Sequence, residues 1–301
     1  MPRHLFVKIF FFFVILTIIF SIIVYFLAGP FLLSIAEKKL HKIFKESSIA
    51  GLKITTSYIE FHGIEIRESG SYDLKIKEAR IYYSLRSIFK KGVERIEGFK
   101  FNIASFKTNL FEIEGIILNA AQNQDAGEFY IKAINYNKLK IGDVVGKSGL
   151  KGNILNINPI LVSFLGGSVK GEFNITLDQN INYDLRLSGQ GLEIKRLVDD
   201  MKFNEKFDMT GRLDGEFSLS GRGQEIKDIK GYFRADANGG VLVINDKAFL
   251  ENIAKQSNQP LDIIVESFRN YNYNNGMIKL AIENNNLVMD MKLDGKAGKR
   301  S

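Results

Sequence analysis

Three histidines, no cysteine and scattered carboxylates are what this 301-residue chain offers for catalysis or metal binding. His4, His41 and His62 all lie in the first 62 residues, so residues 63–301 carry neither imidazole nor thiol. A Ser-His-Asp triad or a His/Cys metal site is therefore ruled out for the bulk of the chain. No G-x-S-x-G elbow is present. Gly142-Asp-Val-Val-Gly146-Lys147-Ser148 approaches a phosphate loop, but has three residues between its glycines where that loop needs four. Asp199-Asp200 is an acidic pair on an expected helix, where a solvated surface explains it without acid/base work. Asn174-Ile175-Thr176 has the glycosylation spacing, inside an expected strand. These residues point to no enzyme, no metal and no cofactor; binding is the function left to look for.

Binding surfaces are drawn by alternation. From Gly211 to Gly221 every second residue is glycine or apolar (Gly211, Leu213, Gly215, Phe217, Leu219, Gly221), and Arg212, Asp214, Glu216, Ser218 and Ser220 lie between them. Side chains alternate across a strand, so this one has a greasy and a wet face. Three other stretches repeat the pattern. One is Val169, Gly171, Phe173, Ile175 and Leu177; another is Tyr183, Leu185, Leu187 and Gly189; the third is Ile229, Gly231, Phe233, Ala235 and Ala237. Leu287, Met289, Met291 and Leu293 do so near the end. Phe173, Ile175, Leu177, Leu185, Leu187, Leu213, Phe217, Leu219 and Phe233 are the candidate residues of an apolar binding face.

Ile9 to Leu27, IFFFFVILTIIFSIIVYFL, is 19 residues without a charge, close to the length that crosses a bilayer core. Arg3 and Lys8 on its short side predict a cytoplasmic N-terminus and export of the remainder. Phe26-Leu27-Ala28-Gly29-Pro30 has no A-x-A site, which favours an uncleaved anchor over a signal peptide. The net charge of +7 is confined to this end. Residues 1–100 hold 16 Lys/Arg and 9 Asp/Glu, whereas residues 101–301 hold 25 of each. That asymmetry suits anionic headgroups better than nucleic acid, which would call for a basic stripe on the folded part.

After Pro30, the residues Leu33, Ala36, Leu40, Ile43 and Phe44 fall at helical spacing, and Lys38, Lys42 and Lys45 lie off the stripe. Two readings stay open for this basic helix. It lies on the membrane with its lysines among headgroups, or it docks its stripe on the first strands. Ser47-Ser48 lead into an expected turn at Gly51.

From residue 52 the period changes to two. Strands are expected over 52–60, 61–68, 72–84 and 93–104, with a helical break from Leu85 to Lys91, and then over 106–118, 128–136 and 150–158. Helices are expected at 192–202, 246–257 and 260–271. Asn238-Gly239-Gly240 and Asn274-Asn275-Gly276 read as turns. There is no strand–helix–strand rhythm, and helix is too scarce to cover so much sheet. The fold class is mainly β: an N-terminal transmembrane helix, then a meandering antiparallel sheet curled into a groove, or alternatively a β-sandwich. The expected regions are 1–29 (tip and anchor), 30–48 (basic helix), 49–158 (membrane-proximal β-region) and 159–301 (C-terminal β-region).

The order of these features resembles the AsmA-like family of envelope proteins. The resemblance rests on LKITTSYIEFHGIEIRES and on YDLKIKEARIYYSLRSIFKKGVERIEGFKFNIAS, with a strand from Ala79 to Leu85, a short helix from Ser87 to Lys91 and a strand from Ile96 to Phe101. At the C-terminal side it rests on GRLDGEFSLSGRGQEIKDIKGYF followed by GGVLVIND. It implies a single-pass protein of the bacterial inner membrane with a periplasmic β-groove. The groove's interior would hold phospholipid acyl chains and assist lipid transport between membranes, as part of cell-envelope biogenesis. The same stripes also fit a sandwich core. In that alternative the chain is an assembly scaffold that pairs with an envelope protein through an edge strand at its C-terminal end.

Overall fold

The structure is a computed structural model that describes residues 29–84, 96–136, 138–178, 181–223, 225–283, 286–295 and 298–300. The anchor expected at Ile9–Leu27 and the break at Leu85–Lys91 lie outside the described residues. None of the described helices is long and apolar enough to cross a membrane.

The described part of helix α1 is residues 29–43. The strands β1 (Glu46–Ile54), β2 (Tyr58–Glu68), β3 (Tyr72–Tyr82), β4 (Gly98–Thr108) and β5 (Phe111–Ala121) follow. Next come β6 (Gly127–Tyr136), β7 (Leu139–Lys151), β8 (Ile154–Phe164), β9 (Gly167–Thr176) and β10 (Asn182–Glu193). Helix α2 (Ile194–Asp200) leads to β11 (Phe207–Met209), β12 (Arg212–Arg222), β13 (Glu225–Ala235) and β14 (Gly240–Ile244). Helices α3 (Lys247–Ser257) and α4 (Leu261–Arg269) precede β15 (Tyr271–Glu283), β16 (Asn286–Gly295) and β17 (Gly298–Arg300).

All seventeen strands belong to one open antiparallel sheet. From β1 to β10 each strand pairs with the next along the chain, and the series continues β10–β12–β13–β15–β16–β17. The short β11 and β14 pair with each other, and β14 joins the start of β15. The sandwich alternative is not what forms: among the described residues there is a single sheet. Glycines at positive φ in the tight turns, such as Gly70 and Gly166, let consecutive strands double back within two or three residues.

A compact core sits at one end of β8–β16. There α2, α3, α4, β11 and β14 cover Val169, Leu192, Met209, Leu213, Leu242, Tyr271, Tyr273 and Leu293. Asp246 caps α3 by accepting from the Phe249 amide at 3.1 Å. Buried Ile264 and Phe268 lie four apart on α4 and are in the same core.

Several expected boundaries move. Strand β1 begins at Glu46 and runs through Gly51, so no turn forms there. The basic helix ends at residue 43 rather than 48. Leu139–Lys151 is a strand that periodicity did not reveal. Asn274-Asn275-Gly276 is no turn but a register shift inside β15. The residue 158/159 division falls inside β8, which pairs on both sides.

The cause of the missed alternation is a recurrent slip. In β2 the apolar face uses Phe61 and then Ile64; in β3 Ile76 and Ala79; in β4 Ile103 and Phe106; in β5 Ile113 and Ile116. Strands β6, β7 and β8 use Ile131/Ile134, Ile141/Val144 and Ile157/Ile160. Each strand takes one step of three among steps of two. Gly63 at φ +58° and Gly115 at φ +62° make the step in their strands without a shift of register, each opposite neighbouring strands that step with it.

Candidate functional site

Cross-strand partners in an antiparallel sheet lie side by side on one face. Followed from strand to strand, the registers trace a single row. It runs Leu52–Phe61–Ala79–Phe101–Leu118–Phe129–Gly146 and on through Ile160–Gly171–Leu187–Phe217–Gly231–Leu280–Met289. One residue comes from each strand of the series β1 to β16, and every one is apolar or glycine. Beside it runs Ile49–Ile64–Ile76–Ile103–Ile116–Ile131–Val144. At about 4.8 Å per strand the first row is about 60 Å long.

The opposite face is polar. Its rows include Lys53–Glu60–Arg80–Lys100–Asn119 and Lys170–Ser188–Glu216–Tyr232–Lys279–Asp290. On the first of these, buried Glu60 accepts from the Arg80 guanidinium and lies 2.6 Å from His62 Nε2. Arg80 also stacks 4.7 Å from the Tyr58 ring centre. Its hydrogen bonds to Tyr82 and Glu60 push the guanidinium still further above its ordinary range. This cluster pins the first strands together from the wet side.

The apolar face is not sealed. Leu52, Phe61, Phe101, Leu118, Phe129, Leu187, Phe217 and Leu280 are all half-buried, and Met289 is 64% exposed. An ordinary core position falls below a tenth, as Leu213 does at 8%. Two regions are tighter. At the edge away from the helices, β5 and β7 meet past the start of β6, where Asn123 N–H donates to Leu150 O at 2.7 Å. Phe99, Ala120, Leu150 and Leu155 close up there. In the middle, Val144, Ile157 and Ile160 form a second cluster.

The nine expected face residues divide accordingly. Phe173, Ile175, Leu185, Leu187, Leu213, Phe217, Leu219 and Phe233 share the face by register, and Leu177 follows the last residue of β9. Leu213 is covered by the helices, and Leu187 and Phe233 pack at that core's margin. Phe173 and Leu185 lean on the middle cluster, Ile175 and Leu177 on the outer one. Phe217 and Leu219 join none of these clusters and remain half-buried. The glycines of the face do not leave vacant room. A Cβ at Gly215 would collide with the Phe233 ring, one at Gly221 with the Tyr183 ring, and one at Gly231 would come within 3.0 Å of Leu280. Small residues here let large neighbours lie flat across the strands.

The face contributed by β1–β7 was not singled out from sequence. Its signal is the apolar step of three, visible as Phe61/Ile64 or Ile113/Ile116 once such a step is allowed. Lys38 and Lys42 are exposed on α1, and Lys45 is exposed just beyond its end.

The remaining chemistry takes structural roles. Gly142–Ser148 is extended strand, and the buried Ser148 hydroxyl donates to Asn119 O at 2.5 Å. Asp199 accepts from Lys195 at 2.9 Å, and Lys195 also bonds Asp208 at 3.0 Å. These carboxylates raise the lysine's pKa. Asn174 accepts from Asn156 at 2.6 Å inside β9. Among the described residues no group of three or more His, Cys, Asp or Glu could hold a metal ion. One concavity, of about 780 Å³, is lined by Tyr82, Gly98, Asn119, Gln122 and neighbours; another, of about 620 Å³, is lined by Lys170, Glu172, Arg186, Glu216 and Tyr232 of the wet face together with Gly171, Leu187, Phe217 and Gly231 of the row.

Comparison of the chain with protein-family models, with curated proteins and with solved structures returned no match.

Proposed function

We propose that this is an AsmA-like, single-pass protein of the bacterial inner membrane whose periplasmic sheet binds phospholipid acyl chains and assists their movement between membranes. The observation that carries the reading is the uninterrupted row from Leu52 to Met289, apolar or glycine in every strand of the series and half-open to solvent except at the buried Ala79, Ile160 and Gly231. Each CH₂ taken from water is worth about 0.8 kcal/mol, so two chains of about 15 carbons gain roughly 24 kcal/mol before other costs. A lipid leaves a bilayer only where such a surface replaces the hydrocarbon it loses. The test is a photo-crosslinking residue in place of Phe217 in the full chain, expressed in a two-membrane bacterium, with Ser218 as the wet-face control. A phospholipid adduct at 217 and none at 218 is expected; adducts at neither position would sink the reading.

A second reading has its own support. Strand β17 pairs only with Leu293–Gly295, and on β16 Leu287 and Met289 are 61% and 64% exposed. An envelope protein adding a strand along Asn286–Lys292 would cover both. Crosslinks from Leu287 to a protein instead of lipid would favour this scaffold role.

A further inference from the structure

Helix α1 has two unlike sides. Leu33, Ala36 and Leu40 are half-buried and fall within one arc of the helix, and Phe44, just past its end, is half-buried too. The rest of the circumference exposes Phe31 at 66% and Ile43 at 72%, together with Leu32 and Ile35. Between them stand Lys38, Lys39, Lys42 and Lys45, all exposed. Glu37 is the sole acidic residue between positions 29 and 45. A helix facing only water on its outer side would carry few large apolar residues there. Phenylalanine and isoleucine interleaved with lysine is the pattern of a helix half-sunk in a headgroup layer, with ring and aliphatic groups below and ammonium groups level with phosphate. In sequence, the described residues of α1 follow directly on the apolar run Ile9–Leu27, so they lie where a membrane crossing would end.

We propose that α1 and the lysine just beyond it bind anionic phospholipid headgroups through Phe31, Ile35, Ile43, Lys38, Lys39, Lys42 and Lys45, while the half-buried arc of Leu33, Ala36 and Leu40 faces away from the headgroups. This rests on the anchored reading above and deepens it. The helix is then a bracket that fixes the β1 end of the apolar face at the bilayer surface, where lipid would step on or off.

The chain contains no tryptophan, so a single introduced one is an unambiguous probe. The full-length variants Ile43→Trp, Phe31→Trp and Leu40→Trp would be placed in nanodiscs of phosphatidylcholine, with or without phosphatidylglycerol, carrying lipids brominated near the headgroup. Blue-shifted emission and bromine quenching are expected at 43 and 31, stronger with phosphatidylglycerol, and weak at 40. Replacing Lys38, Lys42 and Lys45 together by Gln should abolish the preference for the anionic lipid. Water-like, unquenched emission at 43 would overturn the proposal, and equal quenching in the two lipids would overturn the headgroup assignment. Shielding at 43 that appears without lipid and grows with protein concentration would assign the surface to a second copy instead. A Leu16→Trp variant, in lipids brominated toward the ends of their acyl chains, separates the anchor from the bracket. Quenched at 16 but not at 43, the chain is anchored and only the bracket fails; unquenched at 16, the anchored reading falls and α1 with it.

Discussion

Tyr273 donates its hydroxyl to Thr210 O at 2.5 Å from a site that is 1% exposed, walled by Gly211 and Gly240. Burial, reinforced by the Asp236 carboxylate, pushes its pKa up to about 12 from 10.0. The neutral phenol is thus favoured in the folded state. Its contribution to stability is complete below pH 10.0 and is lost as pH climbs through about 12, because the unfolded chain ionises first. Denaturant melts between pH 9 and 12 should show a loss of stability that is smaller in Tyr273→Phe. That variant should itself cost about 1 kcal/mol at neutral pH for the missing hydrogen bond. A parallel slope in both proteins would remove Tyr273 from the account. Glycine offers a second test at this scale. A Cβ at Gly215 meets the Tyr232 carbonyl and the Phe233 ring, whereas one at Gly142 comes no nearer than 3.5 Å to Lys132 O. Gly215→Ala should therefore lose about 1–3 kcal/mol. Gly142→Ala should be neutral, or gain up to about 1 kcal/mol by restricting the unfolded chain.

Among the elements, the steps of three decide how much could be read in advance. Strands β9, β10, β12 and β13 alternate without interruption over Val169–Ile175, Tyr183–Gly189, Leu213–Gly221 and Ile229–Ala235, and their faces were legible residue by residue. Helices α3 and α4 were likewise legible, expected over 246–257 and 260–271. Strands β4 to β8 were blurred and β7 was missed, because a single step of three inverts the apparent face halfway along. Register across fourteen strands is a tertiary property, so the row that makes the candidate surface had no one-dimensional signature. The glycines at these steps are directly testable. Gly115 sits at φ +62°, and its Cβ would lie 2.9 Å from Lys132 Cβ. Gly115→Ala should cost about 1–2 kcal/mol for the left-handed backbone. Gly115→Asn, better tolerated there, should cost less. Thermal melts of the two variants check the order; a harmless Ala would mean that β5 can make its step without glycine.

At the scale of the whole molecule, the question is whether the apolar row is a route or a set of separate perches. Leu118 lies on the row between the early strands and β12. In Leu118→Asp a charge interrupts the surface, and an ionised carboxylate will not share it with acyl chains. With photo-crosslinkers at Phe61 and at Phe217, lipid adducts should persist at 61 and fall at 217, while the circular dichroism spectrum is retained. Undiminished adducts at both would mean that lipids reach each site independently. Leu118→Ala, which shortens the side chain without adding charge, separates interruption from loosened packing. The pairing scheme itself has a consequence for how such a protein changes over generations. Because each strand from β1 to β9 pairs along its length with its chain neighbours, a duplicated hairpin can be spliced in at a turn and find both its partners already waiting. Each such insertion would lengthen the apolar row by about 10 Å and leave the flanking registers unaltered. Reach is therefore the trait that mutation can alter most cheaply in this architecture, and the span between two membranes could be matched one hairpin at a time.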